Sequence, residues 1–367
     1  MSKKVRHVLG ISGGKDSAAL AIYMHNNYPH LDIEYYTSDT GKELDETYAL
    51  IERLEGKKKK KIIRLTAGES NQDPFDHFYH IYGGYLPSSN ARWCTKKLKL
   101  EPFEHFVGND QVISYVGIRG DEEREGYISR KANIQSIFPF RKNIWSEDVI
   151  AKALKNENIA ALVEIYSFQH QNQVDERLFD VLQQPISNKF ILQQKLNLLL
   201  DLNTKSFNHI VFEFLKTTSY PLAKEISFPL LENEEVLIRE DIFKLLRNSG
   251  VGVPAYYEKI EFEVNGKKGA YARSRSGCYF CFFQQKIEWI WLYEQHPEKF
   301  KLAMQYENEK EGFTWNQNES LAELIKPERV VAIKTEFANR NQAKAKSPLL
   351  LDQLDDAEVE GCAACFI

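Results

Sequence analysis

An α/β fold on a doubly wound parallel sheet, with a helical insertion and a mobile C-terminal tail, is what this sequence predicts, on three observations. Strand-type and helix-type runs alternate from the N-terminus, a glycine loop follows the first strand-type run, and a polar, helix-patterned stretch interrupts the alternation after residue 141. Strands alternating with helices form parallel sheets covered on both faces, which bind ligands beyond the carboxyl ends of their strands.

Taken in order, residues 5–11 form a short β-type run, the loop follows, and residues 18–27 have the pattern of a helix. Residues 32–38 read as a second strand. Residues 44–55 place Leu44, Tyr48, Ile51 and Leu54 on one helical face, and 61–65 make a third strand. After a loop with Pro87 and Trp93 come a helix over 97–107 and a strand over 112–118, which ends at Arg119 and a loop carrying Asp121, Glu122 and Glu123.

Residues 143–225 turn polar and rich in Gln and Asn, with the stripes Leu178, Val181, Leu182 and Leu192, Leu196, Leu200. The sheet pattern resumes near Phe228-Pro229-Leu230, a helix covers 239–247, Gly250 to Pro254 punctuate the chain, and helices run through 289–309. From about 341 periodicity is absent until Cys362 and Cys365. The resulting division is a core over 1–141, an insertion over 142–226, a continuation of the core over 227–340 and a flexible tail over 341–367.

The chain has 367 residues, 43% apolar and 27% charged, with a net charge of -4. That balance gives no global attraction to polyanions, so contact with nucleic acid must be local. The N-terminal apolar run is too short for a signal or membrane segment, which predicts a cytoplasmic protein without a membrane partner. Of five cysteines, four form the pairs Cys278/Cys281 and Cys362/Cys365. In a reducing compartment this spacing argues for metal, cluster or sulfur-transfer chemistry over disulfides. The run Lys57 to Lys61 reads either as a contact to a phosphate backbone or as a solvated loop.

The loop Ser12-Gly13-Gly14-Lys15-Asp16-Ser17 lacks the spacing of a Walker loop: Leu9 stands where the first glycine belongs, and Asp16 follows the lysine. It is phosphate machinery all the same. Two glycines let several N–H groups turn inward, the following helix points its positive end at the same spot, and Ser12, Lys15 and Ser17 add donors. Asp16 is expected to cap the helix or to hold Mg2+ on the phosphates.

This loop resembles the signature of the N-type ATP pyrophosphatases, whose fold is that of the adenine nucleotide alpha hydrolases. Ser38-Asp39-Thr40-Gly41-Lys42-Glu43-Leu44-Asp45-Glu46-Thr47-Tyr48 is similar to a segment of the phosphoadenosine phosphosulfate reductases within that group. So, in the same order, are Arg92-Trp93-Cys94-Thr95-Lys96-Lys97-Leu98-Lys99, Gly117-Ile118-Arg119-Gly120-Asp121-Glu122 and Ser276-Gly277-Cys278-Tyr279-Phe280-Cys281. The resemblance implies ATP on Ser12 to Ser17, with Asp39, Thr40 and Gly41 meeting the adenosine or its phosphates and the planar fork of Arg119 taking a phosphate or sulfate. Lys15 and Asp16 are the catalytic candidates at the loop.

The cysteine pattern resembles the iron-sulfur branch of the group, where a Cys-Cys pair stands at the position of the single Cys94. Cys94, Cys278, Cys281 and either Cys362 or Cys365 are then candidate ligands of a 4Fe-4S cluster, or of Zn2+ in a four-thiolate site. Cys362 and Cys365 can instead act catalytically as a persulfide carrier or resolving dithiol. Arg273 and Arg275 either bind an anionic substrate and lower thiol pKa values or form a solvated loop. The aromatic run from Tyr279 to Trp291 reads as core rather than as a stacking platform.

The combination most resembles the ATP pyrophosphatases of bacterial DNA phosphorothioation systems. It implies adenylation of a substrate oxygen with release of pyrophosphate, sulfur supplied by a cysteine desulfurase, and a DNA or other nucleic-acid acceptor reached through partner subunits. The alternatives are a phosphoadenosine phosphosulfate or adenylyl sulfate reductase working through a tail cysteine, and a non-catalytic subunit that senses nucleotide.

Overall fold

In the computed structural model, which describes residues 4–68, 73–122, 131–170, 174–317 and 319–346, the alternation becomes a sheet of five parallel strands. Strand β1 (Arg6–Gly10), helix α1 (Lys15–Asn27), β2 (Ile33–Asp39), α2 (Asp45–Lys58) and β3 (Ile62–Thr66) step outward in one direction. The chain then returns through α3 (Pro74–Ile81), α4 (Trp93–Thr95), a π-helical turn (Lys96–Leu100) and α5 (Glu101–Val107). It lays β4 (Val112–Tyr115) on the other side of β1, with β5 (Ile134–Ile137) beyond. The order is β3-β2-β1-β4-β5, with Leu9 opposite Tyr35 on one side and Tyr115 on the other. Winding reverses between β1 and β4, so the ligand crevice lies outside their carboxyl ends.

Successive side chains of β1 point to opposite faces. Leu9 joins a large core with Ala18, Leu50, Ile113 and Leu200, while Val8 packs with Tyr36, Phe103, Val107 and Ile134. Helices α6 (Glu147–Ala153), α7 (Ile159–Gln169), α8 (Glu176–Gln183) and α9 (Leu192–Leu215) turn their Leu178, Leu182 and Leu196 stripes into that same large core. At the α8 end, the buried Lys195 donates from Nζ to the Leu182 and Gln184 carbonyls at 2.9 and 2.7 Å, satisfying acceptors that the helix leaves open.

The second half of the chain adds α10 (Arg239–Asn248), a hairpin of β6 (Ile260–Val264) and β7 (Lys267–Tyr271), α11 (Lys286–Gln295), α12 (Pro297–Gln305), α13 (Leu321–Leu324) and α14 (Pro327–Lys346). The aromatic run is core, as expected: Tyr279, Phe280, Trp289 and Trp291 are buried with Phe75, Trp93 and Trp315. Helix α14 continues to Lys346, past the boundary expected at 341. Cys362 and Cys365 lie outside the described residues. No helix among the described residues is long and apolar enough to cross a membrane.

The lysine run is not wholly solvated. Lys60 pairs with Asp32 at 2.7 Å, whereas Lys58 is buried with Nζ 3.4 Å above the Tyr35 ring and no hydrogen-bond partner. Burial, followed by the like charge of Lys60, pushes the Lys58 ammonium from 10.5 down to about 6. Between those values the unfolded chain binds a proton that the folded chain lacks, so this residue makes stability rise with pH from about 6 to 10.5. Lys58→Met is therefore expected to melt above the native chain at pH 7, with the difference shrinking by pH 10. Thermal unfolding across that range checks it, and a variant that melts lower at pH 7 would refute it.

Candidate functional site

β1 delivers Ser12 to Ser17 to the crevice, and the local geometry explains the two glycines. Gly13 has φ +73, and a Cβ there would lie 2.2 Å from Thr47 Cγ2, so only glycine fits. Gly14 is the N-cap of α1 with no side-chain cap, so the first N–H groups of a 13-residue helix open onto the loop. Ser17 Oγ stitches the turn: it accepts from Ser12 N at 3.1 Å and donates to the Gly14 carbonyl at 3.3 Å.

Residues from the far half of the chain close over this loop. Tyr256 OH donates to the Gly13 carbonyl at 3.0 Å, Tyr257 OH accepts from Lys15 N at 3.3 Å, and Lys15 Nζ donates to the Ser274 carbonyl at 3.5 Å. A Cβ on Gly14 would lie 2.5 Å from Ser276 Oγ, so the segment leading to Cys278 touches the loop itself. Sequence reasoning missed Tyr256, Tyr257 and Ser274, which belong to no motif and are brought here by tertiary packing alone.

Asp16 does not cap α1. It sits in the first turn, where its Oδ1 accepts from Arg119 Nη1 at 2.9 Å and its Oδ2 lies 3.4 Å from Lys15 Nζ. Arg119 also pairs with Asp121 at 2.9 Å and Glu122 at 2.7 Å, so its fork is turned toward carboxylates in this structure. A buried guanidinium seeks the nearest carboxylates, and β4 ends where α1 begins: a Cβ on Gly117 would lie 3.0 Å from the Asp16 carbonyl oxygen.

Asp39, at the end of β2, accepts at Oδ1 from Gly41 N and from Tyr48 OH, both at 2.9 Å. It lines a pocket with Ser12, Ser38, Glu43, Tyr48 and Lys99, in which Ser38 Oγ and Glu43 Oε2 are buried without partners. Thr40 Oγ1 donates to Glu43 Oε1 at 3.0 Å and lies 3.2 Å from Cys278 Sγ. A backbone bridge between Glu43 and Cys278 and the Tyr279 N to Lys42 carbonyl bond at 2.9 Å fasten the two segments together. The Asp39-Thr40-Gly41 turn and the Cys278 turn are thus one structural unit, and Glu43, which sequence reasoning did not single out, joins them.

Burial raises the Glu43 carboxyl above its ordinary range and, with Glu43 adding to it, raises the Cys278 thiol well above its own. Cys281 is also raised by burial, although Arg273, Arg275 and Lys99 pull it down. The expectation that the arginines lower these thiols is corrected: desolvation outweighs them, and Arg273 is itself buried, not part of a solvated loop. Cys278 and Cys281 are joined by a turn, with Cys281 N donating to the Cys278 carbonyl at 3.1 Å, and Cys94 packs at the edge of the same aromatic core. Among the described residues no three His, Cys, Asp or Glu side chains are gathered in an arrangement that holds a metal. As they stand, Cys94, Cys278 and Cys281 do not by themselves make a ligand set.

Residues 6–166 match the family described as the phosphoadenosine phosphosulfate reductase domain. The match encloses all five strands, the Ser12 to Ser17 loop, Asp39, Cys94 and Arg119, and stops before Cys278. That stretch is therefore similar to a domain of this type. The uncharacterized protein MJ0066 of Methanocaldococcus jannaschii is 34% identical over 152 residues, which cover 38% of this chain and 30% of that protein. This chain thus spans less than a third of that relative's length. No solved structure matches it.

Proposed function

We propose that the chain is an ATP pyrophosphatase coupled to sulfur transfer. The observation that carries the reading is the continuity of one crevice, in which Ser12 borders both the open N-terminus of α1 and the Asp39 pocket, while Cys278 is fastened to the pocket through Thr40 and Glu43. Phosphates suit the helix end beside Lys15, and the unpartnered Ser38 hydroxyl and Glu43 oxygen offer polar partners to the rest of a nucleotide. Attack of a substrate oxygen on the α-phosphorus expels pyrophosphate, and a sulfur nucleophile then displaces AMP together with that oxygen.

In this reading Mg2+ accompanies the phosphates, a cysteine desulfurase supplies the sulfur as a persulfide, and the acceptor is a DNA backbone phosphate presented by partner subunits. Cys362 and Cys365 serve as the carrier pair. The match of residues 6–166 favours a second reading, a sulfonucleotide reductase that uses a tail cysteine and no ATP.

The deciding experiment follows AMP and pyrophosphate from Mg-ATP with the full chain, a persulfide donor and duplex DNA. Equal release of both products is expected. Consumption of adenylyl sulfate or phosphoadenosine phosphosulfate without ATP turnover would replace this reading with the reductase, and inertness toward all three nucleotides would remove both.

A further inference from the structure

Arg273 is buried and mostly unpartnered. The residue is 2% exposed, its Nη2 donates to the Cys278 carbonyl at 3.2 Å, and its Nε and Nη1 have no hydrogen-bond partner. Among the described residues no carboxylate forms an ion pair with it. A lysine in such a place can shed its proton; a guanidinium cannot, so its charge stays. A buried charge without a counter-charge is strongly destabilising, and five N–H donors with a single acceptor amount to a receptor waiting for an anion.

Its location says which anion. Arg273 N donates to the Tyr256 carbonyl at 2.9 Å, and Tyr256 OH holds the Gly13 carbonyl. The next residues run along the loop: the Ser274 carbonyl accepts from Lys15 Nζ, and Ser276 Oγ lies against Gly14. On its other side Arg273 is bound to the Cys278 turn, and its charge falls on both Cys281 and Glu43. The guanidinium therefore rests on the Cys278 turn, on a segment whose next residues, Ser274 and Ser276, touch the phosphate loop.

We propose that Arg273 is the receptor for a tetrahedral oxyanion of the phosphate or sulfate type, held between Gly14–Lys15 and the Cys278–Cys281 turn. A tetrahedral oxyanion accepts several donors at once and matches a planar fork, which a single ammonium does not. The oxyanion is either a phosphate of the nucleotide or a group on a second substrate brought to the thiols. The inference deepens the nucleotide reading but does not depend on it, because the unpartnered nitrogens stand whatever the loop binds.

The test titrates sodium sulfate into the full-length protein, against sodium chloride of equal ionic strength, following calorimetric binding and melting temperature for the native chain, Arg273→Met and Arg273→Lys. Sulfate is expected to bind and stabilise the native chain, to bind Arg273→Met about tenfold more weakly or worse, as the loss of a charge-assisted bond implies, and to bind Arg273→Lys in between. In chloride, Arg273→Met is expected to melt no lower than the native chain, because methionine fills the space without a stranded charge. A native chain that ignores sulfate, an Arg273→Met variant that responds like the native chain, or one that melts far below it in chloride would each overturn the proposal.

Repeating the titration with saturating ATP separates the sources. A surviving sulfate response assigns the oxyanion to a second substrate; a response abolished by ATP, together with weaker ATP binding in Arg273→Met, assigns it to the nucleotide. Failure of ATP to bind while sulfate binding still tracks Arg273 would sink the nucleotide reading and leave this one standing.

Discussion

Arg119→Met is expected to destabilise the folded chain by about 3–5 kcal/mol, the range for breaking a buried ion pair from one side. Arg119 is 3% exposed and gathers Asp16 at 2.9 Å, Glu122 at 2.7 Å and Asp121 at 2.9 Å. Asp16 and Glu122 are themselves buried, so the substitution removes the guanidinium that both carboxylates share inside a desolvated crevice. Methionine restores the volume and none of the charge. Arg119→Lys is expected to recover little, since one ammonium cannot reproduce a fork that reaches three acids from two of its nitrogens.

A double variant supplies an independent check. Urea unfolding at pH 7 measures the deficit, and Arg119→Met/Asp16→Asn should regain part of it, because the amide removes one of the buried charges that the guanidinium balanced. A deficit below about 1 kcal/mol, the level of an exposed pair, would show that the cluster is not the joint between α1 and β4 that its geometry implies.

Periodicity and the glycine loop made β1, α1, β2, α2 and β3 readable because each is a local pattern with its turn chemistry beside it. The helix over 97–107 began late in the sequence reading because Trp93 to Lys96 carry no helical stripe; Trp93 is instead drawn into the Phe75 and Phe280 aromatic core. β5 was missed because four residues, Ile134–Ile137, are too few to declare a period when burial on both faces erases alternation. The β6–β7 hairpin did have a signal. Asn265 and Gly266 adopt φ of 50 and 69 between alternating Ile260, Phe262 and Val264, which is the pattern of a tight hairpin turn.

The site was readable in its motifs and not in its joints. Lys15, Asp16, Asp39, Arg119 and Cys278 announced themselves by residue type and by position after strands. That Arg119 would face Asp16 rather than an open anion site depends on β4 lying beside β1, a topological fact that no local pattern encodes. Tyr256, Tyr257 and Glu43 were invisible for the same reason: their roles arise where segments more than 200 residues apart close on one another.

Gly13→Ala isolates the loop itself and is expected to abolish nucleotide binding measured by calorimetry while leaving the five-stranded sheet folded. Two separate obstacles meet the added methyl. The first is contact, because the Cβ would lie 2.2 Å from Thr47 Cγ2 and nothing that close can be accommodated without moving either the loop or α2. The second is conformation, since φ +73 is a left-handed geometry that costs an alanine about 1–2 kcal/mol. Relief of either drives the turn toward an ordinary φ and rotates the N–H groups away from the helix end. Thr47→Ser separates the two: it removes Cγ2, and the next atom facing the new methyl is Thr47 Cβ at 3.4 Å, an ordinary contact. Gly13→Ala/Thr47→Ser should therefore bind nucleotide more weakly than Thr47→Ser by about 5-fold to 30-fold, the strain term alone, whereas Gly13→Ala by itself should not bind measurably. If the double variant is as dead as the single one, contact with Thr47 is not what holds the loop open; if Gly13→Ala binds normally, the loop is not the phosphate site.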